Sequence, residues 1–272
     1  MLFRSFIEPT LGNKLVNDIT REMIDRVHKR RVSAPYSANR TLALLSRLFS
    51  LAETWGMRVQ GSNPCRGVER YKEHSRERYL TAAELGRLGA AMEKMLDAAL
   101  IYPEAVAAIR LLLLTGARRN EILTARWDWV ARESRLIMLP DSKTGKKNIY
   151  LSNDAFNVLD WIKEINRDDA SPYILPGKTK GKPLNNLSKS WHRLCIEAEL
   201  DGVRLHDLRH TAASIAVGQG ASLSLIGRLL GHTQAQTTMR YAHVDADPTL
   251  KLADELGSNV TAALNAKIVV SG

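Results

Sequence analysis

An arginine placed to bind phosphate is the first chemical feature of this sequence. Residues 115–118, Thr-Gly-Ala-Arg, put Arg118 at the break between one predicted helix and the next. The free amides and the positive dipole at the start of a helix favour anions, so an arginine there adds to a ready anion site. Glu121, one turn later, is expected to hold Arg118 or Arg119 in place. Taken alone, the pattern is more typical of a surface arginine pair that caps a helix.

Residues 206–210, His-Asp-Leu-Arg-His, carry a second set of groups that suit a phosphodiester. On a helix, His206, Arg209 and His210 share one face. The positions predicted to point into the core are Leu208, Ala212 and Ile215. A guanidinium binds two phosphate oxygens at once, and an imidazole donates a hydrogen bond or moves a proton.

The same two histidines also permit a metal-binding interpretation. His206 and His210 are four residues apart with Asp207 beside the first, which is similar to a zinc-protease helix with Asp in place of Glu. We reject it because Arg209 would set a fixed cation among the ligands and because the usual acid is Glu. No metal or other cofactor is therefore predicted. His210 by itself is more typical of a hydrogen-bonded, partly buried histidine than of a catalyst.

The third feature is a tyrosine that follows a glycine-histidine corner. Gly231 ends a predicted helix and presents His232, and a capping box at residues 233–236 starts the next helix, which carries Tyr241. A lone tyrosine is more often a packing residue than a nucleophile. Because a phenol has a pKa of about 10, attack requires cations that favour the phenolate or a base that takes its proton.

Arg, then His-x-x-Arg, then Gly-His, then Tyr, in this order and at these separations, resembles the tyrosine recombinases, in particular prophage-type integrases. The resemblance covers the chain from about residue 12 to its end. It implies site-specific DNA strand exchange, in which Arg118 and Arg209 clamp the scissile phosphate and His206 and His232 assist. Tyr241 would attack and form a 3′-phosphotyrosyl link, without ATP or metal.

The family also has a catalytic lysine on a β-hairpin. Its position matches Lys143, in the Ser-Lys-Thr-Gly turn, as the acid for the leaving oxygen. Lys146 and Lys147 are nearby competitors for this role, and both are otherwise expected to contact DNA. Lysine is a plausible acid because neighbouring cations or burial lower an ammonium pKa.

Helices account for most of the elements that must position these groups. The spacing of Leu42, Leu45, Phe49 and Ala52 predicts one amphipathic helix over Ser37–Gly56. Further helices are predicted at Leu15–Lys29, Ala105–Leu114, Asn153–Asn166, Leu187–Ala198, His206–Val217, Leu223–Leu230, Ala235–Ala242 and Pro248–Leu264. Ser134–Leu139 and Asn148–Leu151 flank the basic turn as a hairpin. The predicted class is mainly α with a small antiparallel β-hairpin or sheet.

Charge points to a polyanionic partner. The 272 residues carry a net charge of +10, and residues 1–80 hold 15 Lys and Arg against 8 Asp and Glu. Such asymmetry favours nucleic acid, although a solvated basic surface would look the same. Arg40 and Arg47, seven residues apart on the amphipathic helix, are expected near DNA. The alternative interpretation is that Arg40 and Arg47 are exposed surface arginines without a DNA contact.

Three segments are expected along the chain. Residues 1–65 form a helical unit that resembles the family's core-binding DNA clamp and would be incomplete at its N-terminus. Residues 66–80, charged and almost without core positions, are interpreted as a linker or a solvated helix. Residues 81–272 form the tyrosine-recombinase-like catalytic domain, which opens with a capping box at Thr81.

Partners and location follow from the same resemblance. Double-stranded DNA is the expected partner, with self-association into a tetrameric synapse and accessory DNA-bending proteins. Two distant cysteines and no long apolar run indicate a reduced, cytoplasmic protein without a membrane span. With DNA as its partner, such a protein is expected to be nucleoid-associated. The alternatives are a truncated or regulatory DNA-binding relative, a type IB-like topoisomerase, and a metal-dependent phosphohydrolase that uses His206 and Asp207.

Overall fold

Contacts divide the chain into two units, Met1–Arg76 and Glu77–Gly272. The structure, a computed structural model, describes residues 3–73, 78–140, 145–231 and Thr238. The predicted linker, residues 66–80, is therefore shared between the units. The predicted helices at residues 235–242 and 248–264 and the capping box at 233–236 lie outside the described residues.

The first unit is helical. A π-helical turn, Phe3–Ile7, leads into α1 (Glu8–Leu11), and a 3-10 turn at Val16–Asp18 precedes α2 (Arg21–Lys29) and α3 (Pro35–Thr54). The amphipathic helix is confirmed: its predicted core positions are buried, and Leu42, Leu45 and Phe49 pack with Ile24 and Val27 of α2.

The helix predicted over Leu15–Lys29 is wrong in its first third. Leu15, Ile19 and Thr20 have extended backbone, and α2 begins only after Thr20. Leu15 is 74% exposed, so it adds nothing to the core that would favour a longer helix. Apolar spacing alone did not reveal this break.

Residues 66–73 lie on the first unit and are not helical. Buried Asn39 of α3 accepts a hydrogen bond from the Tyr71 amide at 3.0 Å and donates to the Tyr71 carbonyl at 2.8 Å. His28 of α2 hydrogen-bonds Asn39 Oδ1 at 3.1 Å, and its ring stacks on that of Tyr71 at 4.4 Å. Asn39 therefore holds the end of the unit with a small polar network.

The second unit packs helices around a small sheet. Its helices are α4 (Ala82–Asp97), α5 (Pro103–Thr115), α6 (Arg119–Leu123), α7 (Asn153–Ile165), α8 (Ser188–Glu197), α9 (Asp207–Gly218) and α10 (Leu223–Leu230), with a 3-10 turn at Trp127–Trp129. Strands β1 (Val130–Ala131), β2 (Leu136–Leu139) and β3 (Lys147–Tyr150) form an antiparallel sheet in that order, with Leu139 opposite Lys147. The predicted fold class, mainly α with a small antiparallel sheet, is confirmed.

Local sequence signals set the helix ends. The Glu84 amide donates to Thr81 Oγ1 at 3.2 Å and the Thr81 amide donates to Glu84 at 2.9 Å, so the predicted capping box is confirmed. Gly116, with a φ of +61°, ends α5 in the left-handed conformation.

The core of the second unit is centred on α5. Residues 105–109, together with Leu111 and Leu112, are buried, while α5 packs against α6, α7 and α9. Leu114, at the end of the helix predicted at Ala105–Leu114, is 40% exposed in the last turn. On α9 the buried positions include Leu208, but Ile215 is 46% exposed, so its predicted core position is wrong.

No helix in the described ranges is long and apolar enough to cross a bilayer.

Candidate phosphate-binding site

Arg118, His206 and Arg209 line one open pocket of about 560 Å³ in the second unit. Arg118 comes from the turn between α5 and α6, and the other two come from the start of α9. Leu112 and Leu139 form an apolar part of the pocket wall. Two segments about 90 residues apart in sequence, singled out for their chemistry, are therefore brought together by the packing of α9 on α5.

Arg118 is fixed by the carboxylate of Glu121. The residue precedes α6 as its N-cap, and its amide donates to Glu121 Oε2 at 2.8 Å. Its Nη1 donates to Glu121 Oε1 at 2.9 Å, which confirms Glu121 as its anchor. Arg119 instead bonds Asn120 at 3.1 Å. The Arg118 side chain stays 32% exposed at the pocket.

Arg209 is fixed by the backbone. It is only 5% exposed, and its Nη1 donates to the carbonyl oxygen of Gly116 at 2.6 Å. The carbonyl belongs to the same left-handed residue that ends α5. A Cβ at Gly116 would lie 2.6 Å from Cδ2 of Leu230 and 3.3 Å from Cβ of Ala212, so this corner and its left-handed backbone favour glycine.

His206 lies at the start of α9 and is exposed. Its ring meets that of His210 edge to face, with the centroids 5.1 Å apart. Asp207 is buried, and its Oδ2 accepts a hydrogen bond from the Arg204 amide at 2.8 Å. In residues 3–73, 78–140 and 145–231, no group of three or more His, Cys, Asp or Glu side chains is placed to hold a metal ion.

Lys147 lies elsewhere than the sequence predicts. Its side chain is 6% exposed, and its Nζ donates to Glu121 Oε2 at 2.6 Å. Lys146, one residue earlier, is exposed. The expected DNA contact by Lys147 is corrected, because a buried ammonium paired with a carboxylate does not lie on the protein surface.

Burial and the neighbouring charges shift the pKa values of Glu121 and Lys147. Burial raises the pKa of Glu121, but hydrogen bonds from Lys147 and Arg118 outweigh it and hold that pKa below its ordinary value. Burial lowers the pKa of Lys147, Glu121 opposes that shift, and the charges of Arg209 and Arg118 add to it. The Glu121 carboxylate is therefore ionised and shared between two cations.

The remaining predicted site residues fall in two groups. Lys143, His232 and Tyr241 lie outside the described residues. Arg40 and Arg47 are both exposed on α3, in the first unit. Their contact with DNA stays a prediction.

Sequence reasoning missed two contacts of the pocket. The Gly116 carbonyl under Arg209 carries no sequence signal, since any residue has a carbonyl. Lys147 did carry one: β3 alternates, so Lys147 and buried Ile149 point to the same face. The strand was predicted to start at Asn148, one residue too late to include Lys147.

Known proteins are similar to this chain in sequence and in fold. The model of the phage integrase family matches residues 78–247. The shufflon-specific DNA recombinase of Escherichia coli is 30% identical over 224 residues, covering 79% of this chain and 54% of the relative. The integrase of Haemophilus phage HP1 is 25% identical over 249 residues, covering 86% of this chain and 66% of the relative. The chain thus spans between half and two thirds of the length of these relatives.

A solved structure has the same fold. In a crystal structure of a lambda integrase (75–356) dimer bound to a COC′ core site, the matched chain is 22% identical with a TM-score of 0.70. The match covers 89% of this chain and 86% of that one. The family model, which matches more than half of the chain, confirms the resemblance: this chain belongs to the phage integrase family.

Proposed function

We propose that the chain is a site-specific DNA recombinase, an integrase, that cuts and rejoins double-stranded DNA through a 3′-phosphotyrosyl intermediate. The observation that carries the proposal is the convergence of Arg118, Arg209 and His206 on one open pocket. The two guanidiniums are held by unrelated contacts, one through Glu121 and the other through Gly116. A phosphodiester is the ligand whose charge and oxygen geometry suit such a pair.

The arginines stabilise the charge that develops on phosphorus oxygens during attack. Preorganised donors contribute most where charge grows in the transition state, and loss of one costs about 3–4 kcal/mol in comparable sites. Fixed guanidiniums supply this stabilisation from the protein itself. Arg209 is preorganised by burial, and Arg118 by its two bonds to Glu121.

The covalent step conserves the phosphoester. The oxygen of Tyr241 forms a bond to phosphorus, and the bond from phosphorus to the 5′ oxygen breaks. The phenol proton passes to a histidine base, with His206 and His232 as the candidates, and Lys143 gives a proton to the leaving 5′ oxygen. One phosphoester replaces another, so the reverse attack by a 5′ hydroxyl rejoins the strand without ATP.

The DNA partner fits the charge of the chain. Exposed Arg40, Arg47 and Lys146 would contact backbone phosphates, and such contacts position a protein without selecting a sequence. The lambda integrase structure holds a dimer on DNA, and we propose that this chain also self-associates on DNA, in a tetrameric synapse. Accessory DNA-bending proteins complete the expected assembly.

Covalent capture tests the proposal. The protein is incubated in EDTA with a pool of nicked duplexes that carry randomised cores, and adducts that survive detergent are collected and sequenced. Wild type is expected to form an adduct on a defined core, and Tyr241→Phe none. Tyr102→Phe, which alters an exposed tyrosine, is the matched control and should behave as wild type. An adduct that persists in Tyr241→Phe, or that requires a divalent metal, would contradict the proposal.

Salt dependence tests DNA as the ligand. Each phosphate contact releases counterions, so binding should weaken steeply between about 50 and 200 mM salt. Replacing both Arg40 and Arg47 by Ala should reduce the salt slope by roughly two, because each arginine is expected to neutralise one phosphate. An unchanged slope would remove α3 from the proposed DNA surface.

A further inference from the structure

Lys147 is a buried cation that the proposed chemistry does not use. It lies on the core-facing side of β3 with Ile149, and its side chain is 6% exposed. A buried ammonium is costly unless it is paired. Its partner is Glu121, the same carboxylate that holds Arg118.

The two side-chain cations that bind the Glu121 carboxylate are held unequally. Lys147 Nζ donates to Oε2 at 2.6 Å, whereas Arg118 Nη1 donates to Oε1 at 2.9 Å. The ammonium is the more buried of the two cations, since Arg118 is 32% exposed. In this arrangement Lys147 balances the carboxylate, and the guanidinium keeps its positive charge for the pocket. Without Lys147, Glu121 and Arg118 would form a nearly neutral pair.

The same side chain supports the end of α10. Gly231 ends that helix with a φ of +68°. A Cβ at Gly231 would collide with Cε of Lys147 and lie 3.0 Å from Nζ, so the glycine leaves room for the lysine stem. α10 also packs against β3. The next residue in the chain is His232.

We propose that Lys147 is a positioning residue of the recombinase site: it neutralises Glu121 so that Arg118 retains its charge for phosphate, and it ties the α10 end that precedes His232 to strand β3. The inference rests on the proposed function. It assigns Lys147 a role distinct from surface DNA contact and from acid catalysis.

The test uses single-turnover adduct formation at saturating protein, on a nicked duplex selected by covalent capture. Lys147→Met should slow adduct formation by at least roughly tenfold, as expected when a phosphate-binding group is misplaced. Affinity for the same duplex, measured with Tyr241→Phe in place, should change by less than about threefold. Lys147→Arg, which keeps the charge, should restore most of the rate.

A rescue variant separates charge balance from other roles. Lys147→Met combined with Glu121→Gln removes both members of the pair, so adduct formation should exceed that of Lys147→Met by about threefold or more. The matched control is Lys94→Met, which breaks an exposed ion pair with Glu197 at 2.5 Å and should leave the rate unchanged. If Lys147→Met fails to fold, the combined variant and Lys147→Arg still decide the outcome.

Three results would overturn the inference. Adduct formation by Lys147→Met at the wild-type rate would remove the positioning role while leaving the proposed function intact. Weaker binding with an unchanged saturating rate would make Lys147 a DNA contact. A combined variant that forms the adduct no faster than Lys147→Met would exclude charge balance. If Lys147→Met does not fold, the comparison is with the Glu121→Gln single variant, and a combined variant no faster than that one would exclude charge balance. Absence of any wild-type adduct would instead refute the proposed function, and this inference with it.

Discussion

Arg118 and Arg209 line the same pocket, but opposite kinds of contact hold them there. The position of Arg118 depends on charge, because its guanidinium pairs with the Glu121 carboxylate, which also pairs with the buried Lys147 ammonium. Arg209 depends on the backbone, since it donates to the Gly116 carbonyl and is almost fully buried. One side of the pocket is therefore set by electrostatics and the other by packing.

Each arginine should therefore resist a different kind of substitution. Substitutions that change charge should disturb Arg118 and leave Arg209 in place, because a carbonyl dipole persists when side chains change. Substitutions that move the α5–α9 packing should do the reverse.

Removing Lys147 should be the most damaging change. Lys147→Met leaves the Glu121 carboxylate buried with only the partly exposed Arg118 as a partner, and breaking a buried pair costs about 3–5 kcal/mol of unfolding free energy. Urea titration measures the loss. The combined Lys147→Met and Glu121→Gln variant should lose less than Lys147→Met alone. Equal losses would show that the two charges are not coupled.

A side chain at Gly116 should destabilise the Arg209 side of the pocket. Gly116→Ala forces a left-handed alanine, which costs about 1–2 kcal/mol, and drives its Cβ against Leu230, which adds about 1–3 kcal/mol. Gly86→Ala is the control, because Gly86 lies exposed in α4 with open space around it. That change should stabilise the fold by about 0.5–1 kcal/mol. Similar effects of both substitutions would contradict the proposed strain.

Thr211 tests the anchoring of α9. Its hydroxyl accepts from the Leu80 amide at 2.9 Å and donates to the Asp207 carbonyl at 2.8 Å, in a fully buried setting. Thr211→Val keeps the shape of the side chain but leaves the Leu80 amide without its hydrogen-bond acceptor. The free energy of unfolding should therefore fall by about 1–3 kcal/mol. Thr211→Ser retains the hydroxyl and should lose less. A loss in Thr211→Val no larger than that in Thr211→Ser would contradict the anchoring role of the hydrogen bond.

The ion pair of Glu84 with Arg78, outside the pocket, should contribute least to the stability of the fold, and only above acid pH. Hydrogen bonds from Arg78 and from the Thr81 amide lower the pKa of Glu84 to about 2. Its stabilising effect is complete above the unfolded-state pKa of about 4.3 and is lost as pH falls toward 2. Melting temperatures of wild type and Glu84→Gln should converge over that window. A constant difference would show that Glu84 acts through capping alone.

Sequence predicted the features that short-range physics controls. The capping box at Thr81, the helix break before Arg118 and the helix Leu223–Leu230 depend on neighbours within a turn, and all are observed. The Glu121 anchor of Arg118 is of the same kind. These contacts need no knowledge of the rest of the fold.

The failures involve partners far along the chain. Ile215 has helical spacing from Leu208, yet it is 46% exposed. Lys147 was placed on the surface because its pairing with Glu121 joins residues 26 positions apart. The bond from Arg209 to Gly116 spans 93 positions. Periodicity shows which face of an element is apolar, but not which neighbour covers it.

Both arginines are proposed to act on the phosphate that Tyr241 attacks, and the rate of single-turnover adduct formation in EDTA measures that action. Arg118→Gln and Arg209→Gln should each slow the adduct by about a hundredfold to a thousandfold, with unfolding curves confirming that each variant is folded. Arg167→Gln, at an exposed arginine next to the end of α7, should match wild type. Near wild-type rates in both folded pocket variants would contradict the account.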